Sequence, residues 1–223
     1  MNDSLESRVT GNFLRVILVS IFVSSVVTAN LISSKMIQVG WLIFPAGTLA
    51  YCVTFLCTDI YTEFFGRKET GYVILGGFIA NILMVILVLI DIMMPIASFQ
   101  LKYQEIYSKV LGAAPRITFA SMVAYLIAQT HDVYAFHFWG NLTRGRYLWV
   151  RNNASTMVSQ GIDTVVFSFI AFFGVIPFNA LLPMILTLWI FKLIIALLDT
   201  PFCYLGVFMV KKMLKIPSIW DLR

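Results

Sequence analysis

The stretch LPMILTLWIFKLIIALLDTPFCYLGVFMV, residues 182–210, decides how this chain must be read. It is longer than the roughly 20 apolar residues that cross a bilayer. Inside what is otherwise solid hydrocarbon it carries Lys192 and Asp199. A charge at bilayer depth costs roughly 2.5–3.5 kcal/mol on insertion scales, so such residues persist where they have a partner or a task. Thr200-Pro201 follows directly. Proline removes a backbone donor and clashes with the preceding turn, which predicts a last helix kinked or broken at this point. Broken helices are tolerated at membrane depth where they line a cavity, whereas a simple kink needs no ligand; both readings stay open here.

Working outward, the pattern repeats. Asp59, Glu63, Asp132 and Asp163 also lie inside apolar stretches. Of 223 residues, 60% are hydrophobic and 12% charged, against about 25% charged in soluble domains. The mean hydropathy is +0.87. A soluble core of this size has no room for so much apolar surface, whereas lipid covers it. One membrane domain spanning residues 1–223 is therefore expected, all-α and polytopic. Its six transmembrane helices fall at about residues 16–33, 44–65, 72–95, 117–139, 156–176 and 182–210. The start is expected to be an uncleaved first span: its head is mixed in charge and its apolar run exceeds the usual h-region of a signal peptide.

Basic residues orient the spans. Arg8 and Arg15; Arg67 and Lys68; Arg144, Arg146 and Arg151; and Lys211, Lys212, Lys215 and Arg223 fall at alternate ends, eleven in all. Only Lys35, Lys102, Lys109 and Arg116, four residues, fall at the opposite ends. Both termini are thus expected in the cytoplasm. The net charge of +5 follows from these loops and calls for no nucleic acid. The connection of about residues 96–116 is polar enough for a loop or a surface helix. Cys52, Cys57 and Cys203 match no zinc spacing. His131 and His137 are six apart and do not share a helix face as an i,i+4 zinc pair does.

The polar residues converge in depth. Asp59 and Asp132 each lie about fifteen residues, or roughly 22 Å, below the outer end of their spans. Asp199 lies at a similar depth, Asp163 sits about two turns above the inner end of the fifth span, and Lys192 is about two turns outward of Asp199. Asn30 belongs near the outer end of the first span. Glu63 and Arg67 have the favourable i,i+4 ion-pair order. Gly71, Gly76 and Gly77 permit close helix contact in the third span. The densest polar run is Trp149-Val150-Arg151-Asn152-Asn153-Ala154-Ser155-Thr156, continuing to Gln160 and Asp163. Asn153 or Ser155 is expected to cap a helix there, yet a cap needs only one such group, and Gln160 shares a face with Asp163.

Several strings resemble one family in order and spacing. They are Asn30-Leu31-Ile32-Ser33-Ser34-Lys35, Gly47-Thr48-Leu49-Ala50-Tyr51, Thr58-Asp59-Ile60 and Glu63-Phe64-Phe65-Gly66-Arg67-Lys68. Later come Arg116 with Ala120-Ser121, Ala124-Tyr125 with Gln129 and Asp132, and Leu148-Trp149-Val150-Arg151-Asn152-Asn153. Ser155-Thr156, Gln160 with Asp163-Thr164, and Lys192 with Asp199-Thr200-Pro201 complete the set. From about Asn30 to Tyr204 the chain is similar to the queuosine precursor transporter family, also called the vitamin uptake transporter family.

The resemblance implies a multi-pass importer in the inner membrane for 7-deazaguanine precursors of queuosine: 7-cyano-7-deazaguanine, the 7-aminomethyl form, or queuine. The cargo would serve tRNA modification without the chain itself touching nucleic acid. Its partners would be cargo and lipid; a homodimer is compatible, a dedicated ATPase is not expected, and no catalytic residue, cofactor or metal is implied. A guanine-like edge shows two adjacent donors and a ring oxygen, and the flat ring takes an aromatic neighbour. Asp132 or Asp163 is then expected to take the two donors, Asn152 or Gln160 the ring oxygen, and Trp149 or Tyr125 the ring face. Asn30, Asp59 and Arg151 complete the candidate layer. Asp199 and Lys192 are expected to form a charge pair that stabilises the broken helix. Three other readings are a carrier for another small planar vitamin-like solute, an intramembrane enzyme, and a membrane subunit that passes cargo to a partner ATPase. The second is a poor fit, because the chain has no Gly-x-Ser nucleophile motif and no second glutamate or histidine constellation beside Glu63.

Overall fold

In hydrocarbon every backbone N–H and C=O must be paired within the chain, and apolar stretches meet that demand as helices. The structure, a computed structural model, describes residues 2–142 and 148–214. Within these, the side chains of residues 2–10, 129, 132–133, 135–142, 148–156, 196–197, 199–200 and 213–214 stand outside the description. In chain order the elements are α1 (Asn2–Ile32), β1 (Met36–Val39), β2 (Leu42–Pro45), α2 (Gly47–Phe65) and α3 (Arg67–Met93). A 3-10 turn (Ser98–Tyr103) follows, then α4 (Gln104–Leu111), α5 (Ala114–Leu142), α6 (Leu148–Phe172) and α7 (Phe178–Leu214).

A long helix overlaps each of the six apolar stretches. Among the described residues, four helical stretches are long and apolar enough to cross a membrane by themselves: Gly11–Ile32, Arg67–Met93, Ser98–Ala128 and Phe178–Ile195. The threonines, Asp59 and Glu63 of α2 dilute its hydropathy. Outward-facing side chains such as Leu75, Ile79, Leu83, Ile86 and Ile90 along α3 are exposed. An apolar flank of that extent is stable only against lipid or a partner.

Several details differ from the expectations. α7 is not broken: it runs continuously through Pro183 and Pro201. Proline deletes one donor, and in an apolar bundle keeping the helical bonds on either side costs less than exposing more of them. α6 begins at Leu148, so Asn153 and Ser155 lie inside the helix and not at its cap. Residues 34–43, read as loop, contain most of a β-hairpin. Met36 pairs with Pro45, Ile37 with Phe44, Gln38 with Ile43 and Val39 with Leu42. Its two-residue turn, Gly40-Trp41, uses Gly40 at φ 60°, a left-handed conformation that glycine adopts without steric cost. The connection after α3 holds the 3-10 turn and α4, and the Tyr107 hydroxyl of α4 donates to Asp91 Oδ2 at 2.6 Å.

At the other end of α2, Gly66 alone joins it to α3, at φ 83°. Thr62 and Thr70 bond across this corner at 2.8 Å. Beside it Arg15 Nη2 donates to Glu69 Oε1 at 3.1 Å and its guanidinium lies 4.5 Å from the centroid of the Phe65 ring. This ion pair joins α1 to α3 at the inner end of the sequence-predicted spans. Of the three glycines in α3, Gly77 makes the close approach: a Cβ there would stand 2.7 Å from Phe22 Cε1, while Gly71 and Gly76 face open space.

Among the described residues the helices pack around two apolar cores. One joins Leu14, Leu18, Phe22 and Val26 of α1 to Cys57, Ile60, Tyr61 and Phe64 of α2 and Val73 of α3. The other joins Ile117 and Ala120 of α5 to Ala171 and Phe172 of α6 and Leu181 and Met184 of α7, with Met36 and Ile43 of the hairpin packed on it. Arg116, at the start of α5, donates to the Ile170 and Phe173 carbonyls at 2.7 and 2.6 Å. It thus satisfies carbonyls at the end of α6 that would otherwise lack a donor.

Candidate functional site

Between these packed regions lies a cavity of about 330 Å³ walled by α1, α2, α3, α5, α6 and α7, with Pro45 of β2 at its hairpin end. Such a volume suits a small ligand. Phe22, Phe55, Phe78, Tyr125 and Phe167 supply rings to its wall. Phe78 and Tyr125 meet edge to face at 5.3 Å between centroids.

The wall of α6 and α7 carries the charge. Trp189 Nε1 donates to the Met157 carbonyl at 3.2 Å, and Gly161, one turn further along α6, leaves room for the same indole. These contacts bring the two helices together and set their rotation. Lys192, three residues past Trp189 and so on the same side of α7, reaches Asp163 on α6, with Nζ 2.5 Å from Oδ2. Both side chains are mostly buried, at 14% and 23% exposure, and both line the cavity with Gln160. Lys192 was expected to pair with Asp199, whose side chain lies outside the described residues. Among the described residues it pairs with Asp163, on the facing helix.

The opposite wall is neutral and polar. Asn30 of α1 and Asn81 of α3, each 1% exposed, are joined by a bond from Asn30 Nδ2 to Asn81 Oδ1 at 2.7 Å. Asn81 Nδ2 in turn donates to the Gly77 carbonyl at 2.9 Å. A short hydrogen bond joins the Tyr51 hydroxyl of α2 to the Ser121 hydroxyl of α5. Thr54 and Thr58 return their hydroxyls to carbonyls of their own helix, which removes the desolvation penalty of a bare hydroxyl. His131 Nδ1 meets Ser159 Oγ at 3.1 Å.

Of the residues singled out from sequence, Asn30, Tyr125, Gln160, Asp163 and Lys192 line this one cavity. Asp59 does not: its neighbour Thr58 lines the cavity, and Asp59, turned about 100° round the helix, is exposed outside the lining. Asp132, Trp149, Arg151, Asn152 and Asp199 stand on α5, α6 and α7, and their side chains lie outside the described residues. Sequence reasoning missed Asn81 altogether and did not place Tyr51 or Ser121 in the site. Asn81 did carry a signal. It is the single amide in α3, whose most apolar 18-residue stretch has a mean hydropathy of 2.9, the highest such value among the candidate spans. Among the described residues no cluster of His, Cys, Asp and Glu is placed to hold a metal ion.

Residues 45–206 match the family described as "Putative vitamin uptake transporter". The chain is also similar to the "Probable queuosine precursor transporter" of Bacillus subtilis (strain 168), with 30% identity over 183 residues, covering 80% of this chain and 78% of the relative. No solved structure matches it. The matched region contains every helix wall of the cavity except α1. With its long apolar helices, the chain is a multi-pass membrane protein and a transporter, and it belongs to the vitamin uptake transporter family.

Proposed function

We propose that this transporter imports 7-deazaguanine precursors of queuosine across the cell's inner membrane for use in tRNA modification, through six spans with both termini in the cytoplasm. The observation that carries the reading is the Lys192–Asp163 pair on the cavity wall. A lysine ammonium has three N–H donors and a carboxylate several acceptor positions, so their mutual bond leaves both able to act. Side by side they present a donor next to an acceptor. A guanine-like edge presents the complement: a ring oxygen, then the ring N–H and the exocyclic amine. Lys192, helped by Gln160, serves the oxygen, and Asp163 takes the two donors. Tyr125 offers a ring to the flat cargo. Adenine shows a donor where guanine has its oxygen, which would set two donors face to face. A polar site of this kind rejects such a mismatch strongly because its own groups stay unpaired. The name of the Bacillus subtilis relative supports the same cargo class.

In a bacterial strain unable to make the precursor, tRNA queuosine should depend on this chain and on external 7-cyano-7-deazaguanine. Asp163→Asn should lower uptake about 10- to 150-fold, the range expected for one charge-assisted hydrogen bond, with the protein still inserted in the membrane. Uptake at the normal rate in that variant would remove Asp163 from the site. Competition by riboflavin, thiamine or biotin, with none by deazaguanines, would instead favour a vitamin carrier.

A further inference from the structure

Amide orientation is decided by the partners of the amide, and in the Asn30–Asn81 pair it has one solution. The Gly77 carbonyl can only accept, so Asn81 must turn Nδ2 to it. Asn81 Oδ1 then faces α1 and can also only accept, so Asn30 must turn Nδ2 towards α3. Flipping either amide sets acceptor against acceptor. The chain of constraint ends at Asn30 Oδ1, which is buried with no hydrogen-bond partner. Among the described residues three other buried polar atoms share that condition: Arg15 Nε, Thr118 Oγ1 and Ser168 Oγ. Of the four residues, Asn30 is the one that lines the cavity. A bare buried acceptor is a standing cost that a ligand N–H relieves.

We propose that Asn81 is a positioning residue that locks the Asn30 carbonyl as an acceptor for a cargo N–H, and that this N–H is the pyrrole N–H of a free 7-deazaguanine base. This rests on the cargo class proposed above. If Lys192 and Asp163 hold the carbonyl edge from the α6–α7 wall, the far edge of the base turns towards α1 and α3. The donor on that edge is the ring nitrogen that carries ribose in a nucleoside. Ribosylation or N9-methylation removes it, so the carrier should discriminate by this bond against N9-substituted forms.

The test is equilibrium binding of 7-cyano-7-deazaguanine and its N9-methyl derivative to the purified full-length protein in lipid nanodiscs. The free base should bind wild type at least about tenfold more tightly. Asn30→Leu should weaken the free base to the level of the methyl derivative and leave the latter little changed. Asn81→Leu should likewise shrink the ratio. Asn81→Asp should keep it, because its neutral acid form donates to the Gly77 carbonyl and accepts from Asn30. A purely structural role for Asn81 would move both affinities together and leave the ratio alone. Equal binding of the two ligands by wild type, or an undiminished ratio in both Leu variants, overturns the inference alone. Failure of wild type to bind the free base overturns the cargo assignment and this inference with it.

Discussion

At the scale of single residues, the Lys192–Asp163 pair shows how a membrane interior tolerates charge. Neither group is affordable alone, and each makes the other so. Removing one partner leaves a buried charge uncompensated, at about 3–5 kcal/mol, while removing both is often near neutral. Asp163→Asn and Lys192→Met should each lower the melting temperature of the purified protein. The double variant Asp163→Asn with Lys192→Met should melt nearer to wild type, yet transport no better than either single variant. A double variant that stayed as unstable as the sum of the singles would mean that the two groups are stabilised by other neighbours. The pair was half visible in sequence: both residues stood out as charges in hydrocarbon, but the partner of Lys192 lay on another helix. Asn81 was less visible because an isolated amide draws the eye less than a charge. Its role appears only when α1 is seen packed against it.

Elements are positioned by a few close approaches. A Cβ at Gly47 would clash with Ser33 Oγ and the Ala29 carbonyl oxygen, so the start of α2 can lie against the end of α1 only with glycine there. Gly47→Ala should destabilise the protein by about 1–3 kcal/mol, the usual cost of overpacking, read as a lower midpoint of thermal unfolding. The β-hairpin is the second such element. Thr187 Oγ1 of α7 donates to the Ile43 carbonyl at 2.6 Å, and Phe44 stacks on Phe191 with centroids 4.5 Å apart. Pro45 lies on the cavity wall, so the hairpin borders the cavity, and cargo that entered from its side would have to displace it. Joining Phe44→Cys to Phe191→Cys by a short bifunctional crosslinker should block uptake, with reversal on cleavage of the linker. Uptake undisturbed by the crosslink would place the entry route elsewhere. The hairpin escaped the sequence reading because its ten-residue stretch is short, its alternation is weak, and its stability comes from α7, far away in the chain.

For the whole molecule, the basic residues predict that the Gly66 end faces the cytoplasm and the hairpin end faces outward. Single cysteines at Lys68 and Lys211 should react with a membrane-impermeant maleimide only in inside-out vesicles, and cysteines at Trp41 and Lys102 only in intact spheroplasts. Labelling of Lys68→Cys from outside would invert the topology. The choice of lipid as solvent, the long helices, and the presence of polar groups among them were all readable from composition and order alone. Each residue's transfer free energy is a local property that adds along the chain. Which polar groups meet was decided by tertiary structure: Lys192 with Asp163, Asn30 with Asn81, Tyr51 with Ser121, and Asp59 turned away. Helices that are apolar on nearly every side carry little periodic signal to say which face turns inward. Their rotation is set instead by close packing at Gly47, Gly77 and Gly161 and by a few interhelical hydrogen bonds, and those exist only once the helices are side by side.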